Sequence, residues 1–304
     1  MQLLTNTEYK RYSDLVGMKA KKLYESLDKE FELDKLQEGE WISFDLGDFA
    51  TENFRKNWMG LVLDNSEEIQ KVYTAVFPSA NVLDQLISLD VTDALLFTHH
   101  PMVWAPEIEG VPFENMPTRY LEELKKRRIS YYAIHVPLDR NGPYSTTASL
   151  ARALEIEIER EFFEYFGSMV GIIGKTEYKT ILELSGKLKD LVGHLLKIWS
   201  YGDPKISNQR VALVAGGGND PDVAQEIADA GVNTYITGIT KKNPAWEPGL
   251  RFHEICEENS INVIAATHYS TEKFACIAVQ KFFEILGVPS EFVEDEPSFL
   301  DYGE

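Results

Sequence analysis

The sequence predicts an α/β protein in which short buried strands alternate with helices. Three apolar runs are each followed by histidine, at His99, His135 and His268, and a short apolar run is typical of a buried strand. Helix-like stretches separate these runs, which indicates layered βα units with largely parallel strands. A second strand–helix series starts at Arg210, and the Thr-His ending recurs at His99 and His268. We therefore expect two similar α/β lobes with mixed, largely parallel sheets.

The predicted elements follow from hydrophobic periodicity and turn residues. We expect an N-terminal helical extension over 1–50, a first α/β lobe with its connecting segment over 51–205, and a second α/β lobe over 206–304. Predicted strands of the first lobe lie at 58–63, 72–78, 93–98, 130–134 and 168–174, and its helices at 81–89, 118–128, 148–154 and 180–196. Predicted strands of the second lobe lie at 210–215, 233–237 and 261–266, and its helices at 222–230, 250–258 and 271–286.

Composition limits the classes of function. The 304 residues carry 30 Lys plus Arg against 49 Asp plus Glu, a formal net charge of -19. Such an acidic balance argues against binding nucleic acid through phosphate contacts. No apolar stretch approaches the roughly 20 residues that span a bilayer. The first residues lack a signal-peptide pattern, and the two cysteines, Cys256 and Cys276, form no CxxC motif. We expect a cytoplasmic protein that binds neither nucleic acid nor membranes.

Four of the six histidines stand at the ends of the three apolar runs: His99 and His100, His135, and His268. In open α/β sheets, ligands bind beyond the carboxyl ends of the strands. Adjacent residues of extended chain point to opposite faces. His99 and His100 are therefore poorly placed to chelate one ion, but each could serve one of two neighbouring ions.

Two carboxylates accompany these histidines. Asp139 stands four residues after His135, in what reads as a short loop, and Glu272 stands in the first turn of a helix expected to begin near Ser270, just after His268. A carboxylate can bridge two metal ions. Mixed nitrogen and oxygen ligands suit Zn, Fe(II), Mn or Co and do not select among them.

Each feature also has a purely structural interpretation. The His-His-Pro sequence can form a polar turn, and His135 can be a hydrogen-bonded strand-end residue. Glu272 can stabilise a helix dipole, and Asp139 can be a turn residue. The joint pattern favours the metal site. His194 and His253 lie on predicted helices without partners and are expected to be structural.

The loop Gly216–Gly217–Gly218 could cradle a phosphate on backbone N–H groups. The dinucleotide-binding spacing fails at Pro221, and Asp220 and Asp222 would repel phosphate. Asp220 followed by Pro221 is typical of an N-cap and first helical residue. The structural interpretation is favoured, and close approach of this backbone to the metal site stays open.

Several motifs together resemble the Nif-three-like proteins, also known as type 2 GTP cyclohydrolase I homologues. The similarity runs from about Trp58 to near Glu296, and the motifs that carry it are Thr98-His99-His100-Pro101-Met102, His135-Val136-Pro137-Leu138-Asp139, 211–218, Tyr235-Ile236-Thr237-Gly238 and His268-Tyr269-Ser270-Thr271-Glu272. The resemblance implies two related α/β lobes with a dinuclear metal centre between them, and a homohexamer. It implies that the metal ligands are His99, His100, Asp139, His268 and Glu272, with Glu272 shared by both ions, and that His135 is a general acid/base or supporting group.

Three features depart from the family pattern. Ile239 follows Thr237-Gly238 where the family usually has Glu, Pro78 stands where the family commonly has a strand-end Asp, and the first fifty or so residues have no counterpart. The expected ligands remain in place, but these departures bear on the substrate chemistry.

Two classes of function follow. The first is a hydrolase that uses two divalent metal ions (Zn, Fe or Mn) on a small-molecule substrate, a nucleotide or a phosphoester, with His135 shuttling a proton. The second is a non-catalytic metal-binding regulatory or assembly protein. A metal chaperone ranks third, because ligands at strand ends form too fixed a site for easy release.

Overall fold

The structure is a computed structural model that describes residues 17–244 and 246–303. Within these ranges the strands, in chain order, are β1 (Met18–Lys19), β2 (Gly60–Leu63), β3 (Glu68–Ile69), β4 (Lys71–Ala75), β5 (Ala94–Thr98), β6 (Val103–Trp104), β7 (Phe113–Glu114), β8 (Ile129–Ala133), β9 (Glu157–Tyr165), β10 (Ser168–Lys175), β11 (Lys197–Trp199), β12 (Arg210–Leu213), β13 (Thr234–Thr237), β14 (Asn262–Ala265) and β15 (Ser290–Phe292).

The α-helices of the described residues are α1 (Ala20–Glu30), α2 (Glu52–Asn57), α3 (Ala80–Ser88), α4 (Thr118–Lys126), α5 (Val136–Asp139), α6 (Thr146–Ala153), α7 (Ile181–Val192), α8 (Pro221–Asp229), α9 (Glu247–Glu258), α10 (His268–Ala278) and α11 (Gln280–Leu286). Each is too short or too polar to cross a membrane. The expected mixed α/β class is confirmed.

The first sheet has the strand order β15-β4-β5-β8-β2. Its first four strands are parallel and β2 is antiparallel to β8. Alternate residues of β5 enter two separate cores: Leu95 and Phe97 pack with α1, α10 and α11, whereas Ala94 and Leu96 pack with α3 and α4. Helices on both faces explain why β5 reads as a continuous apolar run.

The second sheet has the order β11-β14-β13-β12-β10-β9. Its centre, β12 to β14, is parallel, and antiparallel strands flank it on both sides. Helices α6 and α7 cover one face, and α8 and α9 cover the other. This arrangement gives the second sheet the same three-layer construction as the first.

Sheet membership crosses the predicted lobe boundary at residue 205. β9 and β10 belong to the second sheet although they precede this boundary, and β15 belongs to the first sheet although it follows. Helices α10 and α11 contribute Ala275, Val279 and Phe283 to a core on the first sheet. The start of α10, which follows β14 of the second sheet, therefore lies against the strand ends of the first sheet.

The described part of the predicted N-terminal extension is integrated with the first lobe. Leu23 and Leu27 of α1 are fully buried and pack in one core with Val72, Leu95 and Phe97 of the sheet. Residues 1–16 of the predicted helical extension lie outside the described residues.

Candidate metal centre

His99 and His100 directly follow β5, at the edge where β4, β5 and β8 end. The His100 carbonyl accepts hydrogen bonds from Thr98 Oγ1 at 2.6 Å and from the buried Tyr131 hydroxyl at 3.0 Å. His99 Nδ1 lies 3.1 Å from the Ile134 carbonyl. Donation to that carbonyl leaves the lone pair of His99 on Nε2. Backbone contacts of the first sheet thus set the orientation of both residues.

His135 and Asp139 lie on the single turn of α5, which corrects the loop expected at this position. Pro137 has the fixed φ that suits the start of a helix, and Leu138 N and Asp139 N both donate to the His135 carbonyl. Residues four apart share one helix face, so Asp139 Oδ2 lies 3.5 Å from His135 Nε2. Thr146 Oγ1 holds the other oxygen, Asp139 Oδ1, with a 2.8 Å hydrogen bond.

Helix α10 begins at His268 rather than near Ser270, so one helical turn carries both His268 and Glu272. Thr267, its N-cap, has φ +61° and ψ 155°, a backbone conformation that costs a β-branched residue on the order of 1–3 kcal/mol. This turn aims the His268 N–H at Asp301 Oδ2, 2.8 Å away. Strain of this kind concentrates at functional sites.

Glu272 is the centre of the cluster. Its Oε2 lies 3.0 Å from His100 Nε2, and its Oε1 lies 3.1 Å from His268 Nε2 and 3.5 Å from His99 Nε2. Asp139 Oδ1 lies 3.4 Å from the same His99 nitrogen. All five predicted ligand residues therefore meet, and His135 lies beside them with its ring 5.0 Å from that of His99.

Three groups of side chains in this cluster could hold a metal ion. Two of them share Glu272: His99 with Asp139, and His100 with His268. The third group comprises His99, His100 and His135. His99 Nε2, His100 Nδ1 and His268 Nδ1 are buried without a hydrogen-bond partner. Buried polar atoms are normally satisfied, and His99 Nε2 lies 3.4 Å from Asp139 Oδ1 and 3.5 Å from Glu272 Oε1, so this unsatisfied nitrogen beside two carboxylates fits a divalent cation.

Burial and charge shift the pKa values of the buried cluster residues in different directions. Burial lowers the pKa of His100 well below its usual range. Burial opposes ionisation of Glu272, but the charges of His268, His99 and His100 outweigh it and lower the carboxyl pKa. Burial also acts to lower the pKa of His99, which the Asp139 and Glu272 carboxylates nevertheless raise well above its usual range.

The glycine loop approaches the cluster more closely than any side chain would permit. Gly216 has φ +72°, and a Cβ atom there would lie 2.0 Å from Glu272 Oε1. Its N–H donates to Thr271 Oγ1 at 2.9 Å, and its carbonyl accepts from Gly238 N and Ile239 N. The Asp220 carboxylate caps α8, with Pro221 as the first helical residue, as expected. The loop is structural, and it also shapes the space around Glu272.

Two residues of the N-terminal segment reach the site without any signal in the sequence. The Glu38 side chain is 2% exposed and accepts from His135 Nδ1 at 3.2 Å and from Val136 N at 2.8 Å. The Trp41 ring meets the His135 ring at a 5.2 Å centroid distance. Burial acts to lower the pKa of His135, and Glu38 and Asp139 reverse the shift and raise it.

Asp301, near the C-terminus, is a further residue that sequence reasoning missed. Its Oδ1 accepts from Trp104 Nε1 at 2.8 Å, and its Oδ2 accepts from His268 N. Burial raises the pKa of this carboxyl. No sequence motif surrounds Asp301. Its place at the site is apparent only from its contacts with Trp104 and His268 in the folded chain.

A cavity of about 590 Å³ opens above the cluster. Its lining combines four of the five candidate metal ligands, all but His99, with residues of the N-terminal segment, the glycine loop and the β9–β10 hairpin. Ile239, which replaces the glutamate usual in the family, also lines it. Phe77, before Pro78, stacks on His100 at a 4.6 Å centroid distance. Of the departures from the family pattern, Ile239 thus places an apolar group in the cavity lining.

The remaining histidines lie away from the cluster and have partners, contrary to expectation. Helix α7 ends at Val192 because Gly193 adopts φ +81°, so His194 follows the helix instead of lying on it. Its Nε2 lies 2.7 Å from Ser270 Oγ. His253, on α9, contacts the Tyr201 hydroxyl and the Thr240 carbonyl at 2.9 Å each.

Relatives and solved structures agree with this architecture. The chain is 30% identical over 240 residues to the GTP cyclohydrolase 1 type 2 homolog of Archaeoglobus fulgidus, covering 77% of this chain and 88% of that one. It is 29% identical over 251 residues to the homolog of Pyrococcus horikoshii, covering 81% and 92%.

Two solved structures share the fold. TTHA1606 from Thermus thermophilus superposes with a TM-score of 0.65 at 24% identity, covering 93% of this chain and 100% of that one. HcgD from Methanocaldococcus jannaschii does so with a TM-score of 0.63 at 22% identity and the same coverage. A family-wide sequence profile matches residues 46–295, beginning before the similarity noted at Trp58. The chain therefore belongs to the Duf34/NIF3 (NGG1p interacting factor 3) family.

Proposed function

We propose that this protein is a metal-dependent hydrolase with a dinuclear centre. The observation that carries the proposal is the shared position of Glu272: one carboxylate oxygen contacts His100, and the other contacts His268 and His99. On this assignment one ion would be held by His99, Asp139 and Glu272, and the other by His100, His268 and Glu272. Bound divalent ions activate water and stabilise negative charge in hydrolysis.

His135 is the proton carrier in this proposal. Glu38 accepts a hydrogen bond from Nδ1, which leaves Nε2 to take a proton and pass it to a leaving group. Nε2 lies 3.5 Å from Asp139 Oδ2, and Thr146 fixes Asp139 through its other oxygen. The imidazole is thus oriented from both sides.

A nucleotide is the proposed substrate, because the curated relatives carry the name GTP cyclohydrolase 1 type 2 homolog. That name describes those proteins. In this chain, the aromatic cavity above the cluster supports a substrate with a planar ring. Ile239 lines that cavity where the family usually has glutamate. A phosphoester other than GTP is therefore the second substrate class to assay.

The test is metal analysis of protein purified without chelators, followed by turnover assays with GTP and with a chromogenic phosphodiester. We expect about two divalent ions per chain and turnover that Glu272→Gln abolishes. Glu284→Gln, an exposed change on α11, is the control and should retain both the bound metal and the turnover. Absence of bound transition metal in the wild type would refute the metal centre, and full turnover by Glu272→Gln would refute the role of Glu272.

A non-catalytic metal-binding regulatory or assembly protein is the second candidate, and Ile239 favours it, because an apolar residue lines the cavity where the family usually has a glutamate. Bound metal without turnover of any nucleotide or phosphoester would support this candidate over the hydrolase.

We also propose a cytoplasmic homohexamer, on the resemblance to the family alone. Light scattering of the purified protein measures the oligomeric state, and a monomeric mass at micromolar concentration would contradict the hexamer.

A further inference from the structure

Two residues outside the metal-ligand cluster line the same cavity and each carry a buried N–H group without an acceptor. Asn219 is 2% exposed, and its Nδ2 has no hydrogen-bond partner. The Trp41 Nε1 atom is also buried without a partner. The two residues come from separate elements, the loop before α8 and the N-terminal segment, yet both line the cavity. Donors left unsatisfied in this way indicate a ligand that presents acceptor atoms.

The Asn219 amide lies beside an indole ring in a place built for close contact. A Cβ on Gly249 would lie 3.4 Å from Asn219 Nδ2 and 2.6 Å from the Trp246 ring. The absence of a side chain at position 249 lets the indole lie against α9, whereas the amide is at ordinary contact distance. The pair offers a hydrogen-bond donor next to a flat aromatic face.

Aromatic side chains dominate the cavity rim. Tyr165, Phe166 and Trp246 are 38%, 45% and 39% exposed, respectively, and all three line the cavity. Large aromatic surfaces left open around one cavity favour stacking with a planar ligand.

The charges in the cavity argue against a phosphate-binding site away from the metal cluster. Lys241 is the one Lys or Arg among the described lining residues, and its ammonium already donates to the Pro106 carbonyl at 3.1 Å. The lining carboxylates are those of Glu38, Glu40, Asp139, Asp220, Glu272 and Asp301. A polyphosphate would meet mostly negative charge there.

We propose that the cavity binds a planar heterocycle through acceptor atoms on its edge, ring nitrogen or carbonyl oxygen, with Asn219 as the residue that recognises them. The inference names the substrate class for the proposed hydrolase and rests on that function for its link to turnover. Binding of the heterocycle itself requires neither the metals nor a phosphate chain.

The test uses chelator-treated protein and calorimetric titration with guanosine, GTP and indole, which has a flat ring without an acceptor atom. We expect guanosine to bind, GTP to bind no more tightly, and indole to bind least. Asn219→Leu removes the donor at similar volume and should weaken guanosine binding about tenfold, while leaving indole binding unchanged. Asn259→Leu, an exposed change on the same lobe, is the control.

Asn219→Asp keeps the shape of the side chain and replaces the donor with an acceptor, so it should bind guanosine at least as weakly as Asn219→Leu. Equal guanosine affinity in wild type and both Asn219 variants would overturn the proposal, as would tighter binding by Asn219→Asp or binding of inorganic phosphate alone. Nucleoside binding that depends on Asn219 in a protein without turnover would refute the hydrolase and leave this inference standing.

Discussion

Two buried histidine environments in this molecule differ in how their ring nitrogens are satisfied. His253, within the second lobe, has hydrogen-bond partners on both nitrogens, Tyr201 and Thr240. His99, His100 and His268, between the lobes, each leave one nitrogen without a partner. Both environments are almost inaccessible to solvent. Burial alone therefore does not separate a structural histidine from a candidate ligand, whereas a ring nitrogen without a partner, on a residue that also contacts Glu272, does.

The largest expected difference between the two environments is in metal content. Glu272→Gln removes the carboxylate that two candidate metal groups share, and we expect metal affinity to fall more than the roughly 10–100-fold typical of residues that only support ligands. His253→Gln should keep its metal and lose about 1–3 kcal/mol of unfolding free energy, because it disturbs two buried hydrogen bonds. Elemental analysis measures the metal content of each variant, and urea unfolding measures its free energy of unfolding. Loss of metal from His253→Gln would contradict the distinction between a structural His253 and the candidate ligand histidines.

Substitution of glycine next to Glu272 should have the next largest effect. Gly216→Ala places a methyl group 2.0 Å from Glu272 Oε1 on a backbone with φ +72°. Gly231 is a matched control, since its φ is +64° and a Cβ there would contact nothing within 4 Å. Both changes should cost about 1–2 kcal/mol for the left-handed backbone.

Only Gly216→Ala should also lower metal content, because only its methyl displaces Glu272. Calorimetric metal titration compares the metal affinity of the two variants. Equal metal affinity in Gly216→Ala and Gly231→Ala would show that the loop does not shape the site.

The pH dependence of stability provides a smaller contrast. Burial lowers the pKa of His253 to about 4, against an unfolded value of 6.5. Between these values the unfolded chain binds the proton and the folded chain does not, so stability falls as pH decreases from 6.5 to about 4, by at most about 1.4 kcal/mol per pH unit. Above pH 6.5 this histidine contributes no slope.

Urea unfolding of chelator-treated wild type and His253→Gln across this pH range measures that contribution as the difference between the two slopes. The variant should have the shallower slope. Identical slopes would mean that His253 takes up its proton equally in the folded and unfolded chains.

The smallest effect is expected in the N-terminal segment. Glu38 contacts His135 and Val136 but none of the five candidate ligands, so Glu38→Gln should lower metal affinity by no more than about tenfold. Glu40→Gln, an exposed change two residues away that also lines the cavity, should leave it unchanged. A loss as large as that of Glu272→Gln would place Glu38 among the ligands and enlarge the site.

Much of the fold was predictable because buried strands and capped helices leave local patterns. Strands β5, β12, β13 and β14 lie within the predicted runs, and β4 and β8 begin one residue earlier than predicted. Strand β9 was missed because it alternates charged and aromatic residues, with most side chains exposed, and so lacks an apolar run. Gly193 ends α7 at Val192, before the predicted helix end at 196, and strand β11, which was missed, follows at Lys197–Trp199.

The sequence by itself determined the α/β class, the edge at which the histidines gather and the five residues that meet there, because strand ends and helix starts are encoded by neighbouring residues. That these five residues bind metal stays a prediction. Only the tertiary structure decided that Glu38, Gly216 and Asp301 belong to the same site. Their contacts join segments far apart in the chain, and the approach of one backbone to a distant carboxylate leaves no local pattern.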